Sequence, residues 1–127
     1  MSEPVFVFGS NLAGRHGAGA ALWARKHRGA VYGRGEGMHG NSYAIPTKDA
    51  MLRTLHADEI SLHVQRFIRF ATERQDLTFQ LTPIGCGLAG YKPEQIAPMF
   101  RGSPANVMMP PEFVAVLAAH PAQRNEE

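Results

Sequence analysis

The chain is poor in cysteine, sparse in charge and free of long apolar runs, and each shortage excludes something. A single Cys, Cys86, among 127 residues forbids an internal disulfide and fits a reducing, cytoplasmic setting. The longest apolar runs, Val5–Phe8 and Phe113–Ala119, fall far below the roughly 20 residues of a membrane-spanning helix, so no membrane partner is expected. Met1–Pro4 starts acidic and leads straight into a strand-like run, which does not fit a secretory signal. Six histidines show no metal-ligand spacing and one thiol cannot build a zinc site, so neither a metal nor another cofactor is expected. Charged residues make up 19% of the chain, and 13 Lys and Arg against 11 Asp and Glu leave +2. Read as a dispersed surplus, that is slender support for a nucleic-acid partner.

What the chain does have is glycine in two blocks. Nine of its 13 glycines lie between Gly9 and Gly40, and three more are Gly85, Gly87 and Gly90. Such clustering points to backbone shaped around a ligand. Length and composition suit one domain over residues 1–120, with 121–127 expected to be a disordered tail.

Val5–Phe8 reads as a strand buried on both faces. A helix is expected from Gly17 or Ala18 to Gly29, with Arg25, Lys26, His27 and Arg28 at its C-terminal end. Residues Gly33–Asn41 read as a loop, and Ser42–Thr47 as a second inner strand. Asp58–Arg74 carries an apolar stripe of Ile60, Val64, Phe67, Ile68 and Ala71 and is expected to be a helix capped by Asp58. Leu77–Ile84 reads as a third strand, Lys92-Pro93-Glu94 as a helix start, Asn106–Met109 as a last strand, and Phe113–Ala119 as a closing helix. Alternating strands and helices predict an α/β fold with a mainly parallel sheet, its ligand at the carboxyl ends of the strands.

Three motifs fall at those strand ends. In the first, Gly9 to Ala21, strand, glycine loop and helix start form the arrangement that binds phosphate through backbone N–H groups. Its Walker-like spacing fails because Arg15 and His16 stand where Lys and Ser/Thr belong, and Gly17–Leu22 is a poor dinucleotide fingerprint. The plain alternative is a tight turn with close helix–sheet packing. The second motif, Ile84–Tyr91, again runs from strand to glycines, and its N–H groups could nest a second phosphate. Tyr91 there either stacks on a ligand or caps the loop. Between them, Lys48 after the second inner strand either joins the ligand site, as a phosphate partner or nucleophile, or belongs to a solvated Lys48-Asp49 turn. Cys86 reads as an activated thiol or a packing residue. Glu36 and His39 lie in the glycine-rich loop, as acid or base groups or as incidental polar residues.

In order, the segments GSN, GAGAAL, YAIPTK and IGCGLAGY resemble the macrodomain, an ADP-ribose-binding α/β module. IGCGL with the strand-end TK is most similar to the branch containing terminal ADP-ribose protein glycohydrolase and the DNA ADP-ribose-removing antitoxins. The resemblance covers about Val5 to Phe113. It implies a three-layer α/β/α fold shortened at the N-terminus and an ADP-ribose, or ADP-ribosylated protein or nucleic acid, as partner. It also implies Asn11 and Tyr91 near the distal ribose, Gly17, Ala18 and Gly19 along the diphosphate, and Gly85, Cys86, Gly87 and Leu88 as the second phosphate loop. Lys48 matches the branch's catalytic lysine, which attacks the anomeric carbon of the distal ribose. The Asp that follows IGCGL in that branch is Ala89 here, leaving Glu36 or Asp49 as stand-ins. The acid that binds the adenine amino group lacks a counterpart unless Glu3 serves. Binding without turnover, and a protein–protein role without a nucleotide, are the alternative functions. A homodimer through a bare sheet edge is compatible with the shortened front.

Overall fold

A computed structural model of the chain describes residues 3–120, and the expected tail at 121–127 lies outside them. In chain order the elements are β1 (Val5–Asn11), α1 (Gly19–His27), β2 (Gly37–His39), β3 (Ser42–Lys48), α2 (Ala57–Glu73) and β4 (Phe79–Leu81). They continue with α3 (Pro93–Ile96), a 3-10 turn (Ala97–Phe100), β5 (Val107–Met108) and α4 (Pro111–Ala119). The strands form one sheet in the order β2-β3-β1-β4-β5. Only the β2–β3 pair is antiparallel. The fold is therefore mixed α/β with a mainly parallel sheet.

β1 is apolar throughout its first half because both faces are covered. Val5 and Val7 join Tyr43, Ile45 and the α2 residues Ile60, Val64, Phe67 and Ala71 in the larger core. Phe8, with Phe6 beside it, turns the other way and packs with Ala21, Ala24, Ala30 and Ala44 under α1. The Phe67 ring lies 5.0 Å from Tyr43 and 5.4 Å from Phe79, so one α2 side chain ties β3 to β4. Burial of such a ring contributes about 2 kcal/mol.

Two local expectations are corrected. Gly37–His39 inside the expected 33–41 loop is a strand, the antiparallel edge partner of β3. Gly40 at φ +60 makes the turn, and an edge position tolerates the glycine at 37. The N-cap of α2 is His56 rather than Asp58: its Nδ1 accepts from the Asp58 N–H at 3.3 Å. The helix starts one residue earlier than Asp58, which places Asp58 and Glu59 in its first turn beside the positive end of the dipole.

The strand order positions a site. From β1 the chain passes to β3 on one side, then returns over the sheet to β4 on the other. The connections leaving β1 and β4 diverge to opposite faces, and the carboxyl ends of these two strands frame a crevice at the point where the winding reverses.

Candidate functional site

That crevice is a cavity of about 740 Å³. Its floor is the end of β1, Gly9 to Asn11, with Thr47 and Lys48 from the end of β3. One wall is Gly17 and Ala18 with Gly19 through Ala21, the first turn of α1, whose N-terminus no side chain caps. The opposite wall is Thr82 through Ala89. The uncapped first turn of α1 and the Gly85-Cys86-Gly87 loop line the same space, an arrangement that favours an anion. Arg15 and Lys48 add positive charge to the lining, while Glu112 at the start of α4 is its one carboxylate among the described residues.

The glycines divide by what a side chain would meet. At Gly17, Gly19 and Gly87, which all line the cavity, an added Cβ would find no atom within 4 Å. Gly14, Gly35 and Gly40 instead press on neighbouring backbone. A Cβ on Gly35 would collide with the carbonyl oxygen of Asn11, and the Ser10 hydroxyl donates to the Gly35 carbonyl. Gly35 therefore locks its loop against the end of β1, while Gly40 packs on Gly29 and the carbonyl of Arg28.

Of the residues singled out in the sequence, Asn11, Gly17, Ala18, Gly19, Lys48, Gly85, Cys86, Gly87 and Leu88 all line the cavity. Asn11 also shapes the wall: its Oδ1 accepts from the Arg15 N–H at 2.8 Å and its Nδ2 donates to the Arg15 carbonyl at 2.9 Å. Four others are engaged elsewhere. Glu36 pairs with His63 at 2.8 Å and Arg66 at 2.9 Å on α2, outside the lining. Asp49 accepts from the N–H groups of Met51 and Arg53, both at 2.9 Å, and these bonds, the Arg53 one foremost, hold its carboxyl below the usual range. Tyr91 donates its hydroxyl to the Leu55 carbonyl at 2.7 Å. With the Thr54 hydroxyl donating to the Ala89 carbonyl at 3.0 Å, it clips the second loop to the turn that follows Lys48. Glu3 pairs with Arg28 at 3.5 Å, likewise away from the cavity.

Sequence reasoning passed over Arg15, Leu52 and Glu112 as lining residues. Leu52 holds a left-handed φ of 64°, an unfavourable backbone for leucine, and the turn braced by the Asp49 carboxylate carries it to the cavity wall. No short motif reveals Glu112, because the register of α4 brings it to the site. Cys86 is not an activated thiol. Burial first, then Glu112 and Glu94, pushes it up to about 11.

Behind the first loop, His16 is fully buried and meets the Phe8 ring edge-on at 5.3 Å. Neither ring nitrogen has a hydrogen-bond partner among the described residues. Burial, then Arg25 and His39, lowers its pKa from 6.5. Below pH 6.5 the unfolded chain therefore binds more protons than the folded one. The stability that neutral His16 provides is complete above pH 6.5 and is lost as pH falls toward the lowered folded value. Thermal melts at pH 7 and pH 5 should show a drop in midpoint that is clearly smaller in His16→Leu; equal drops would remove His16 as the cause.

Fold and cavity together define a mixed α/β protein with a ligand-sized, anion-favouring cavity at the winding reversal of its sheet. Compared with known proteins, the chain matches no family model, no curated protein and no solved structure. Among the described residues no group of His, Cys, Asp and Glu could hold a metal ion, and no helix is long and apolar enough to cross a membrane.

Proposed function

We infer that the protein is a macrodomain-like module that binds ADP-ribose, free or attached to another molecule, in the cavity between β1 and β4. The observation that carries this reading is the convergence of the uncapped start of α1 and the Gly85–Gly87 loop on one space of about 740 Å³. Two N–H-rich walls facing each other suit a diphosphate, and the volume is in the range of small-molecule sites. The ordered motifs resembling the macrodomain lead to the same ligand.

Lys48 supports a second step. Its amine, at the rim of the anion site, would attack the anomeric carbon of the distal ribose. The bond from that carbon to the attached carboxylate breaks, and the electron pair leaves with the carboxylate. Water then releases the ribose and restores the amine. The acids proposed as helpers, Glu36 and Asp49, are committed to α2 and to the 49–53 turn. That commitment favours capture without turnover as the second reading.

Calorimetry with ADP-ribose, AMP, ADP and ribose 5-phosphate tests the binding, and absence of heat up to millimolar ADP-ribose would sink it. If the protein is a hydrolase, Lys48→Ala should cut release of ADP-ribose from a modified substrate by about 100-fold or more while leaving ADP-ribose affinity within about tenfold. Activity unchanged by that substitution would remove Lys48 from the chemistry.

A further inference from the structure

Leu52 is the only residue other than glycine at a positive φ among the described residues. Glycine or asparagine takes that left-handed backbone readily, whereas leucine takes it only under strain. The turn after β3 imposes it. The Asp49 N–H donates to the Arg53 carbonyl at 2.8 Å and the Leu52 N–H to the Asp49 carbonyl at 3.0 Å. The Asp49 carboxylate accepts from Met51 and Arg53, and Thr54 pairs back onto Lys48. A glycine at position 52 would keep every one of these backbone bonds. What the strain secures is therefore the leucine side chain, not the turn.

That side chain lines the cavity and is 46% exposed, and Leu88, at 73%, lines the same space from the second loop. The two loops are tied together. The Thr54 hydroxyl donates to the Ala89 carbonyl at 3.0 Å, and the Tyr91 hydroxyl donates to the Leu55 carbonyl at 2.7 Å. Both leucines are thereby fixed at the end of the cavity that holds Lys48. Two large apolar side chains left open to water in a ligand-sized cavity, one of them against its own backbone preference, form a surface suited to an apolar group of a ligand.

We propose that Leu52 and Leu88 form an apolar seat for a neutral ring carried on the distal ribose, so that the cavity takes a reduced nicotinamide dinucleotide in preference to free ADP-ribose. This inference rests on the reading of the cavity as an ADP-ribose site and adds what that ligand carries. A charged or strongly polar group gains nothing from two leucines, whereas a flat ring is taken out of water by both. Lys48 puts positive charge beside them, which disfavours the cationic ring of the oxidised dinucleotide. Leu52 and Leu88 therefore act as specificity-determining residues, in contact with the carried ring.

NADH is the probe, because its ring is a poor leaving group and its fluorescence reports on the ring's surroundings. Calorimetry should show NADH binding about tenfold more tightly than ADP-ribose, and more tightly than NAD+. Its ring emission should rise and shift to the blue. Leu52→Asn should bring the ratio of NADH to ADP-ribose affinity to within about twofold of one. The same variant should melt about 4 °C higher, because asparagine accepts the left-handed backbone. A merely structural Leu52 would move the melting temperature and leave the ratio where it was. Leu88→Ala, at an exposed loop position, should lower the ratio about threefold and provides the test if Leu52→Asn does not fold. Three results would overturn the assignment: ADP-ribose heat with no gain for NADH, NAD+ binding as tightly as NADH, or an unchanged ratio in either folded variant. Absence of heat from ADP-ribose and NADH alike would overturn the cavity reading together with this one, whereas ADP-ribose heat without the NADH gain overturns this one alone.

Discussion

Replacing Gly17 with Glu is expected to abolish ADP-ribose binding, lowering affinity by about 100-fold or more, while the protein folds and melts as before. Gly17 borders the cavity, and an added Cβ there meets nothing within 4 Å, so the fold has no reason to object to a side chain. The carboxylate, however, would enter the space where the first turn of α1 and the Gly85–Gly87 loop offer N–H groups. It would compete for those donors and repel a diphosphate. Gly17→Ala is the control, expected to bind with little change. Calorimetry on both variants, with circular dichroism to verify the fold, decides the matter. Full affinity in Gly17→Glu would mean that the first loop is purely structural.

Replacing Gly35 with Ala is expected to destabilise the protein by about 3 kcal/mol, lowering its melting temperature by roughly 10 °C. A single methyl group there would collide with the Asn11 carbonyl oxygen and sit 2.8 Å from that of Leu12. Backbone cannot move aside as a flexible side chain can, so the loop must lift off the end of β1. The Ser10 hydroxyl bond to the Gly35 carbonyl would go with it. Because Asn11 carries the wall of the cavity through its two bonds to Arg15, ADP-ribose affinity should weaken as well. Thermal melting of Gly35→Ala beside Gly17→Ala gives the comparison, and equal midpoints would show that the loop is not pressed against β1.

These two glycines mark where local reasoning sufficed and where it did not. Clustering of glycine before α1 and after β4 is visible in the sequence, and so is the phosphate-loop pattern of strand, glycine and helix. The residues it singled out at Asn11, Gly17–Gly19, Lys48 and Gly85–Leu88 do line one cavity. Glycine alone does not reveal whether its missing side chain admits a ligand, as at Gly17, or another strand of backbone, as at Gly35. That depends on contacts between residues more than 20 positions apart. The same holds for the carboxylates. Glu36 and Asp49 looked available because their partners, His63 and Arg66 on α2 and the N–H groups of the 49–53 turn, are set by packing and turn geometry.

By itself the sequence determined the alternation of strands and helices, the burial of Val5–Phe8 and the apolar stripe of α2, because periodicity and side-chain volume act within one element. It also determined that the loops after two of the strands are rich in N–H groups unhindered by side chains. Only the tertiary structure decided that those strands are neighbours, with the winding reversing between them, and therefore that the two loops face one space. Strand order arises from long-range packing, which no local pattern of residues specifies.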